Sequence, residues 1–286
     1  LEYFKRGIKT AEQRNAEVLV IQLNTPGGSV SVMSEMITAI GNSTVPVVIY
    51  VSPKDAQAAS AGALITMAGH ASAMSPRTVI GAASPIDNSG ADIESTLEKK
   101  IKEDLKAKAR TLVERRGPDA IQLAEAMIDD AKAATAKESL DAKLIDFISD
   151  DTEDLLQSLN GFTVQMDSGS HTFNTTDVRT QDLNISFIEQ LLLMLTDPNI
   201  AFLLLAIGVQ GVLIEISSPG GWFAGFIGAT CLTLAVYGMG VLTVNWFGGI
   251  FLIIAFVLFI LDIKAPTHGA LTTAGVASFI VGALVL

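Results

Sequence analysis

Ala58-Ala59-Ser60-Ala61-Gly62 is the stretch whose reading decides the fold. It follows the branched apolar run Val45-Pro46-Val47-Val48-Ile49-Tyr50-Val51 and opens a second apolar run, Ala63 to Ala68. Small residues on both sides leave Ser60 uncrowded at a strand-to-helix junction. The first turn of a helix has N–H groups without intrahelical partners and a partial positive charge. A serine placed there has donors ready for a developing oxyanion, so Ser60 reads as a nucleophile.

Working outward, Glu2 to Arg14 has helical spacing, with Phe4, Ile8 and Ala11 on one stripe. Val18 to Leu23 is a short branched strand, stopped by Asn24-Thr25-Pro26-Gly27-Gly28. A helix is expected over Ser31–Ile40, with Val32, Met36, Ile37 and Ile40 inward. The helix opened by Ser60 should reach about His70, and short strands are expected around Ala73 and Val79–Ala82. After a loop from Ala83 to Ala91, a long charged helix is predicted over Ile93–Arg116, closed by Gly117-Pro118. Helices over Asp119–Asp130 and Lys137–Ala142, a strand over Leu144–Ile148 and a hairpin over Phe162–Asn174 follow, then a polar linker, Asp177–Asn184. Strands alternating with helices argue for an α/β fold.

The 286 residues are divided between two solvents. From Phe187 onward the only charges are Glu189, Asp197, Glu215, Asp262 and Lys264, although 17% of the whole chain is charged. Phe187 to Leu195 is apolar but short, as an interfacial helix would be. Four longer apolar runs follow, near Ile200–Ile216, Trp222–Leu242, Phe247–Leu261 and Gly269–Leu286, separated by breakers such as Ser217-Ser218-Pro219-Gly220-Gly221. Runs approaching about 20 apolar residues suit a bilayer, and recurrent glycines suit close helix packing within it. Net charge is −11, which gives no basic footprint for nucleic acid. The lone Cys231 cannot form an internal disulfide. No metal or cofactor is implied.

A serine needs a base to take its proton. His268 lies in the apolar half, His171 in the hairpin, and His70 about 15 Å along a straight helix from Ser60, too far for proton transfer. A lysine serves when burial disfavours its charged form. The stripe Ile93, Leu97, Ile101 and Leu105 puts Lys100 about 80° from its centre, nearer the interior than Lys99 or Lys102, taking about 100° per residue. Gly27-Gly28 permits close backbone approach, so the N–H groups of Gly28 and Ala61 could form an oxyanion hole.

The motifs Leu23-Asn24-Thr25-Pro26-Gly27-Gly28, Tyr50-Val51-Ser52-Pro53, Ala58-Ala59-Ser60-Ala61-Gly62, Met74-Ser75-Pro76, Ile80-Gly81-Ala82-Ala83-Ser84-Pro85 and Lys100-Ile101, followed by four apolar segments, resemble the NfeD family of membrane-bound, ClpP-class serine proteases. The resemblance implies a ClpP/crotonase-like fold of stacked ββα turns and peptide hydrolysis by a Ser-Lys dyad. Ser60 falls on the nucleophile, Lys100 on the general base, and Gly27, Gly28 and Ala61 on the oxyanion-hole elements. It also implies a homodimer or higher oligomer and a stomatin/SPFH-class partner whose apolar C-terminal region is a substrate. A signal segment and first strand are expected upstream of Leu1, and family members commonly end in a small β-barrel.

The expected domains are therefore a ClpP-like part over 1–176, a linker and interfacial helix over 177–198, and a four-helix transmembrane part over 199–286. The chain is expected to be multi-pass, with the protease part on the extracytoplasmic face; one lysine is too little for the positive-inside rule to fix this. Two rival readings share the same residues. One is a non-catalytic membrane scaffold for an SPFH assembly. The other is a crotonase-like acyl-CoA enzyme, for which no acidic pair is clearly placed.

Overall fold

The computed structural model describes residues 1–85, 95–217, 222–241, 246–264 and 269–285. Residues 218–221 of the first breaker, and Ile93 and His268, lie outside these residues, as does most of the loop expected over Ala83–Ala91. The chain divides into two compact units, Leu1–Asn184 and Ile185–Leu286.

The first unit is α/β. Its elements in order are α1 (Glu2–Gln13), β1 (Leu19–Leu23), α2 (Val30–Gly41), β2 (Val47–Val51), β3 (Gln57–Ala59), α3 (Ala61–Ala68), β4 (Ala71–Met74) and β5 (Val79–Gly81). Then come α4 (Ser95–Val113), α5 (Pro118–Asp129), β6 (Ala133–Thr135), α6 (Ala136–Asp141), β7 (Phe147–Ile148), α7 (Thr152–Leu159), β8 (Thr163–Met166) and β9 (Gly169–Thr172). A parallel sheet runs in the order β1-β2-β4-β7, with Leu19 opposite Val47 and Val48 opposite Ala71. A second sheet, β3-β5-β6, is parallel between β3 and β5 and antiparallel between β5 and β6. These strand and helix turns, repeated and stacked, are the plan that the motif resemblance implied.

β2 is the central strand because its sequence can be buried on both faces. Val47, Ile49 and Val51 enter one core with α1 to α5, while Val48 and Tyr50 enter another with Leu155, Leu156 and Leu159 of α7. Alternate residues of a strand point to opposite faces, so an unbroken apolar run suits a sheet covered on both sides. Full burial of one such side chain is worth about 1.5–3 kcal/mol. On α2 the core takes Met33 and Ile40, whereas Val32 is exposed, one position from the expected face.

Two further details differ from the sequence reading. The segment 177–184 has no helix or strand, yet it is not a free linker. Tyr3 donates to the Leu183 carbonyl at 2.6 Å, Arg6 to the Asn184 carbonyl at 2.8 Å, and Arg14 to Gln181. A polar, Pro-free segment bound through its backbone leaves no hydrophobic pattern to read. The long helix also stops at Val113, and a single 3₁₀ turn, Glu114–Arg116, precedes Gly117. That turn aims Arg116 at Asp146, an ion pair with only 4% and 17% side-chain exposure.

The second unit is helical: α8 (Phe187–Leu195), α9 (Pro198–Ser217), α10 (Phe223–Val241), α11 (Trp246–Lys264) and α12 (Ala270–Val285). The last four occupy the four expected apolar runs. Among the described residues α9, with mean hydropathy 2.2, is the helix long and apolar enough to cross a membrane. α8 opens with a capping box, in which Glu189 N–H donates to Ser186 Oγ and Ser186 N–H to Glu189 Oε2. α9 packs on α10 and α11 on α12. Glycine allows the first of these contacts: a Cβ on Gly211 would lie 2.9 Å from Gly228 Cα, and one on Gly228 2.7 Å from Val212 N. Glu215 has a structural task, since its carboxylate accepts from Trp222 N–H and Gly225 N–H, both at 3.2 Å, at the start of α10.

Candidate active site

Ser60 stands between β3 and α3 with φ 53° and ψ −119°. Positive φ is uncommon for a residue with a Cβ and persists only where the surroundings hold it. Here the hold is visible. Ser60 N–H donates to the Gly81 carbonyl at 2.8 Å, and the Ser60 carbonyl accepts from Ala63 N–H at 3.0 Å. The flanking Ala58 and Ala61 are buried and small, so the turn can be sharp. Ser60 itself is half-buried, and among the described residues its Oγ has no hydrogen-bond partner. A strained strand-to-helix turn that presents a free hydroxyl is the geometry of a nucleophile elbow.

The Pro-Gly-Gly turn lies directly against this hydroxyl. Thr25 pairs with Ala58 as an isolated parallel bridge: Thr25 N–H donates to the Gln57 carbonyl at 2.8 Å and Ala59 N–H to the Thr25 carbonyl at 3.1 Å. Gly27 follows with φ +143°, and a Cβ there would lie 3.0 Å from Ser60 Cβ and 3.5 Å from Ser60 Oγ. Gly27 is therefore required by space. Its N–H is already engaged, donating to Thr25 Oγ1 at 3.1 Å. The N–H groups of Gly28 and Ala61 have no partner among the described residues, and a Cβ on Gly28 would be 3.9 Å from Ala61 Cβ. Of the three expected oxyanion-hole residues, two thus offer free donors and the third clears the way.

Lys100 is placed differently from the helical-wheel expectation. Along α4 the buried positions are Leu105, Ala109 and Val113, with Ile101 half-buried, while Leu97 is 51% exposed. The core stripe begins a turn later than the sequence count, so Lys100 is exposed. The lysines drawn towards the protein are Lys102, paired with Glu98 at 2.8 Å, and Lys106, paired with Asp129 at 3.1 Å. Lys108 pairs with Asp104 at 2.8 Å. Lys99 and Lys100 have no ion pair among the described residues. α4 packs against α3, the helix that Ser60 opens, but no hydrogen bond joins Lys100 to Ser60. The structure thus brings Ser60, Gly27, Gly28 and Ala61 together and leaves Lys100 in solvent.

Two positioning residues carried no signal strong enough to read from sequence. Gly81 supplies the carbonyl that holds Ser60 N–H. It has φ +127°, and a Cβ there would lie 2.2 Å from the Lys132 carbonyl oxygen of the neighbouring chain segment. Gly81→Ala is expected to cost at least about 2 kcal/mol, from left-handed strain and overpacking together. For a unit of this size the melting temperature should drop by roughly 4–8 °C. A thermal melt checks this, and a shift under a degree would contradict it. Gly62 is the second: its Cβ would meet Thr25 Cγ2 at 2.6 Å, so it lets α3 approach the Pro-Gly-Gly turn.

The two histidines among the described residues serve the fold. His171, on β9, lies 3.2 Å from Glu17 and edge-on to Phe173. His70 is only 6% exposed, and its Nδ1 accepts from Val47 N–H at 3.0 Å. Burial, and then the nearby Arg115 charge, push its pKa below the ordinary imidazole value and outweigh the opposing pulls of the Val47 backbone and Asp167. A base whose folded pKa is depressed is protonated preferentially in the unfolded chain. Its stabilising effect is complete above the unfolded value of about 6.5 and is lost as pH falls below it. His70→Asn, which keeps an acceptor for Val47 N–H, should flatten this decline, by up to about 1.4 kcal/mol per pH unit. Urea melts of both proteins between pH 7.5 and 5 measure the difference; parallel curves would refute it.

With the geometry in hand, comparison with known proteins is decisive. Residues 1–168 match the NfeD1b N-terminal domain, and residues 199–286 match the NfeD integral membrane domain. The chain belongs to the NfeD family. It is a membrane protein by virtue of the second domain. This NfeD chain is 36% identical over its whole length to the membrane-bound protease PH1510 of Pyrococcus horikoshii. It is 26% identical, over 82% of its length, to the membrane protein NfeD1b of Bacillus subtilis. It spans 65% and 52% of those two relatives' lengths. Among solved structures, 66% of the chain superposes with a TM-score of 0.61 and 34% identity on 88% of a 1510-N membrane-bound stomatin-specific protease. That structure is of a lysine-to-alanine variant in complex with a substrate peptide; another, with TM-score 0.60, is of a serine-to-alanine variant.

Proposed function

We propose that this NfeD chain is a membrane-anchored serine endopeptidase that cleaves apolar segments of a membrane-associated, stomatin/SPFH-like protein. Ser60 is the nucleophile, Lys100 the general base, and the N–H groups of Gly28 and Ala61 the oxyanion donors, with Gly27 keeping the approach clear. The observation that carries the reading is the strained turn that presents Ser60 Oγ beside the N–H groups of Gly28 and Ala61, all three without partners among the described residues. A second observation supports the base. The residues replaced in the two variant structures of the Pyrococcus protease, a serine and a lysine, stand about forty positions apart, as Ser60 and Lys100 do.

In this reading Lys100 takes the Ser60 proton as Oγ attacks the scissile carbonyl and the oxyanion turns into the hole. It then gives that proton to the leaving amine, and water hydrolyses the acyl-enzyme by the same route. A lysine can act as a base only in its neutral form, which desolvation favours. Since Lys100 is exposed in the single chain, the bound substrate or a second copy supplies the dry surroundings. The soluble unit acts on the extracytoplasmic face.

The test is covalent labelling of the full chain in detergent by a fluorophosphonate, with the adduct mapped by mass spectrometry. The adduct is expected on Ser60 and absent from Ser60→Ala. Labelling elsewhere, or none with active peptide hydrolysis, would overturn the assignment.

A further inference from the structure

The short helix α8 is attached to its unit on one side and carries large apolar side chains on another. At about 100° per residue, its positions fall on three arcs. Leu192 and Leu195 form the attached arc: Leu195 is buried, Leu192 is half-buried, and α8 packs on α9 and α10. A Cβ on Gly238 of α10 would collide with the Leu195 carbonyl, so the two backbones are in close contact. Ile188 lies on the same arc one turn earlier and is exposed, so the contact ends before the first turn. Met194, Phe187 and Leu191 share a second arc of about 60° and are 54%, 78% and 47% exposed. The third arc holds Glu189 and Gln190, the two polar residues of α8, with Leu193 between them. We propose that the second arc lies in the headgroup–acyl boundary of the bilayer, which makes α8 a surface-lying helix whose partner is the lipid itself.

Continuity with the membrane domain identifies this partner. That domain begins at residue 199, and Gly238, against which α8 rests, belongs to it. Only Thr196 and Asp197 separate α8 from α9. Their corner is fixed by hydrogen bonds: Thr196 Oγ1 donates to the Leu193 carbonyl at 2.8 Å, Asn199 N–H to Asp197 Oδ1 at 2.8 Å, and Ala201 N–H to the Asp197 carbonyl at 2.9 Å. Polar residues gather here, Glu189, Gln190, Thr196, Asp197 and Asn199, while α9 has no further charge before Glu215. The corner therefore marks the level at which water gives way to hydrocarbon. Leu203, 53% exposed on α9, lies about 8 Å along the helix from Pro198, already among the apolar residues of the span. Nine residues of α8 rise about 14 Å, less than half of a hydrocarbon core of about 30 Å, so α8 does not cross. Neither α8 nor its corner has a basic residue. Apolar contact, rather than attraction to anionic headgroups, holds the helix down, and a neutral phospholipid suffices.

The experiment reconstitutes the full chain in phosphatidylcholine vesicles. On a Cys231→Ser background, Phe187→Cys, Leu191→Cys, Met194→Cys, Gln190→Cys and Ile253→Cys each carry one NBD fluorophore. Ile253, 64% exposed midway along α11, is the deep reference, and Gln190 the aqueous one. Phospholipids with a nitroxide near the headgroup should quench the three second-arc sites about threefold more than Gln190→Cys, and more than phospholipids with a nitroxide deep in the acyl chain. The deep nitroxide should dominate at Ile253→Cys, and aqueous iodide at Gln190→Cys. Adding phosphatidylglycerol should leave the pattern unchanged. Three sites report on one arc, so loss of any one variant leaves the test intact. Iodide quenching of the second arc equal to that at Gln190→Cys would overturn the proposal by placing the arc in water. Shielding from both iodide and lipid nitroxides would overturn it in favour of a second copy of the chain as the cover. Dominance of the deep nitroxide at all three sites would overturn it by placing α8 within the hydrocarbon.

Discussion

Ser60→Ala is expected to lower kcat for peptide hydrolysis by about 10⁴–10⁶-fold while leaving the melting temperature of the chain within a few degrees. The scale follows from what the hydroxyl does. Without it no acyl-enzyme forms, and what survives is the help that binding and the oxyanion donors give to direct attack by water. Lys100→Ala should fall to a similar level, and the double variant no further, since residues that act as one unit are not additive. The structure makes the lysine arm informative. Lys100 is exposed and has no ion pair among the described residues, so its removal should cost little stability. A large loss of rate with an unchanged melt therefore separates a base from a structural lysine. Lys102→Ala and Lys106→Ala serve as controls, because their amines are held by Glu98 and Asp129. Retention of activity within tenfold in Ser60→Ala would remove the nucleophile. Full activity in Lys100→Ala would leave the serine but require another base. A chain whose Ser60→Ala form still supports its cellular role would return to the scaffold reading.

The parts legible in the sequence are those where local chemistry and tertiary placement agree. β2 is branched and wholly buried, and the Ala-Ser-Ala-Gly element is small where the chain turns sharply, so both could be read from residue type. β3 and β6 were missed because Gln57-Ala58-Ala59 and Ala133-Ala134-Thr135 have three residues each and no branched apolar pattern; they are strands only because β5 lies between them. Lys100 was misplaced because periodicity fixes angles around α4 but not where along the helix the core begins. Leu97 extends the stripe in sequence and stands in solvent in the fold. The motif resemblance puts Gly27 among the oxyanion-hole elements, but its N–H donates to Thr25 Oγ1, a contact that sequence spacing does not show. The docking of segment 177–184 was not legible, since two of its attachments, from Tyr3 and Arg6 of α1, use the backbone carbonyls of Leu183 and Asn184, which every residue possesses. The family motifs suggest the catalytic roles proposed above, and the coordinates supply the reason for the glycines among them.

Nothing in the sequence marks Asp146, yet Asp146→Ala is expected to produce the largest loss of stability of any single change in the soluble unit. Arg116 donates from Nη1 to Asp146 Oδ1 and from Nη2 to Oδ2, both at 2.8 Å, while Ser72 N–H donates to Oδ2 at 2.7 Å. The carboxylate thus joins the 3₁₀ turn after α4, strand β4 and the start of β7. Its removal leaves a guanidinium with 4% exposure and a buried N–H unpaired. Breaking a buried pair from one side costs about 3–5 kcal/mol, chiefly through the stranded charge. Without Asp146 the guanidinium keeps only the long hydrogen bond from Nη2 to Ser72 Oγ, at 3.3 Å, since its Nε has no partner among the described residues. Arg116→Met should be milder, because Asp146 keeps the Ser72 N–H and is nearer to water. Pairing it with Asp146→Leu should recover part of the loss, since a well-packed apolar pair often matches a buried ionic one. Urea denaturation of the full chain in detergent, followed by the fluorescence of a label on the soluble unit, compares the four proteins. The ordering expected is wild type, then the double variant and Arg116→Met, then Asp146→Ala. A cost below about 1 kcal/mol for Asp146→Ala would mean that the pair is solvated in the working protein and that backbone hydrogen bonds and apolar packing suffice to hold the two strands together.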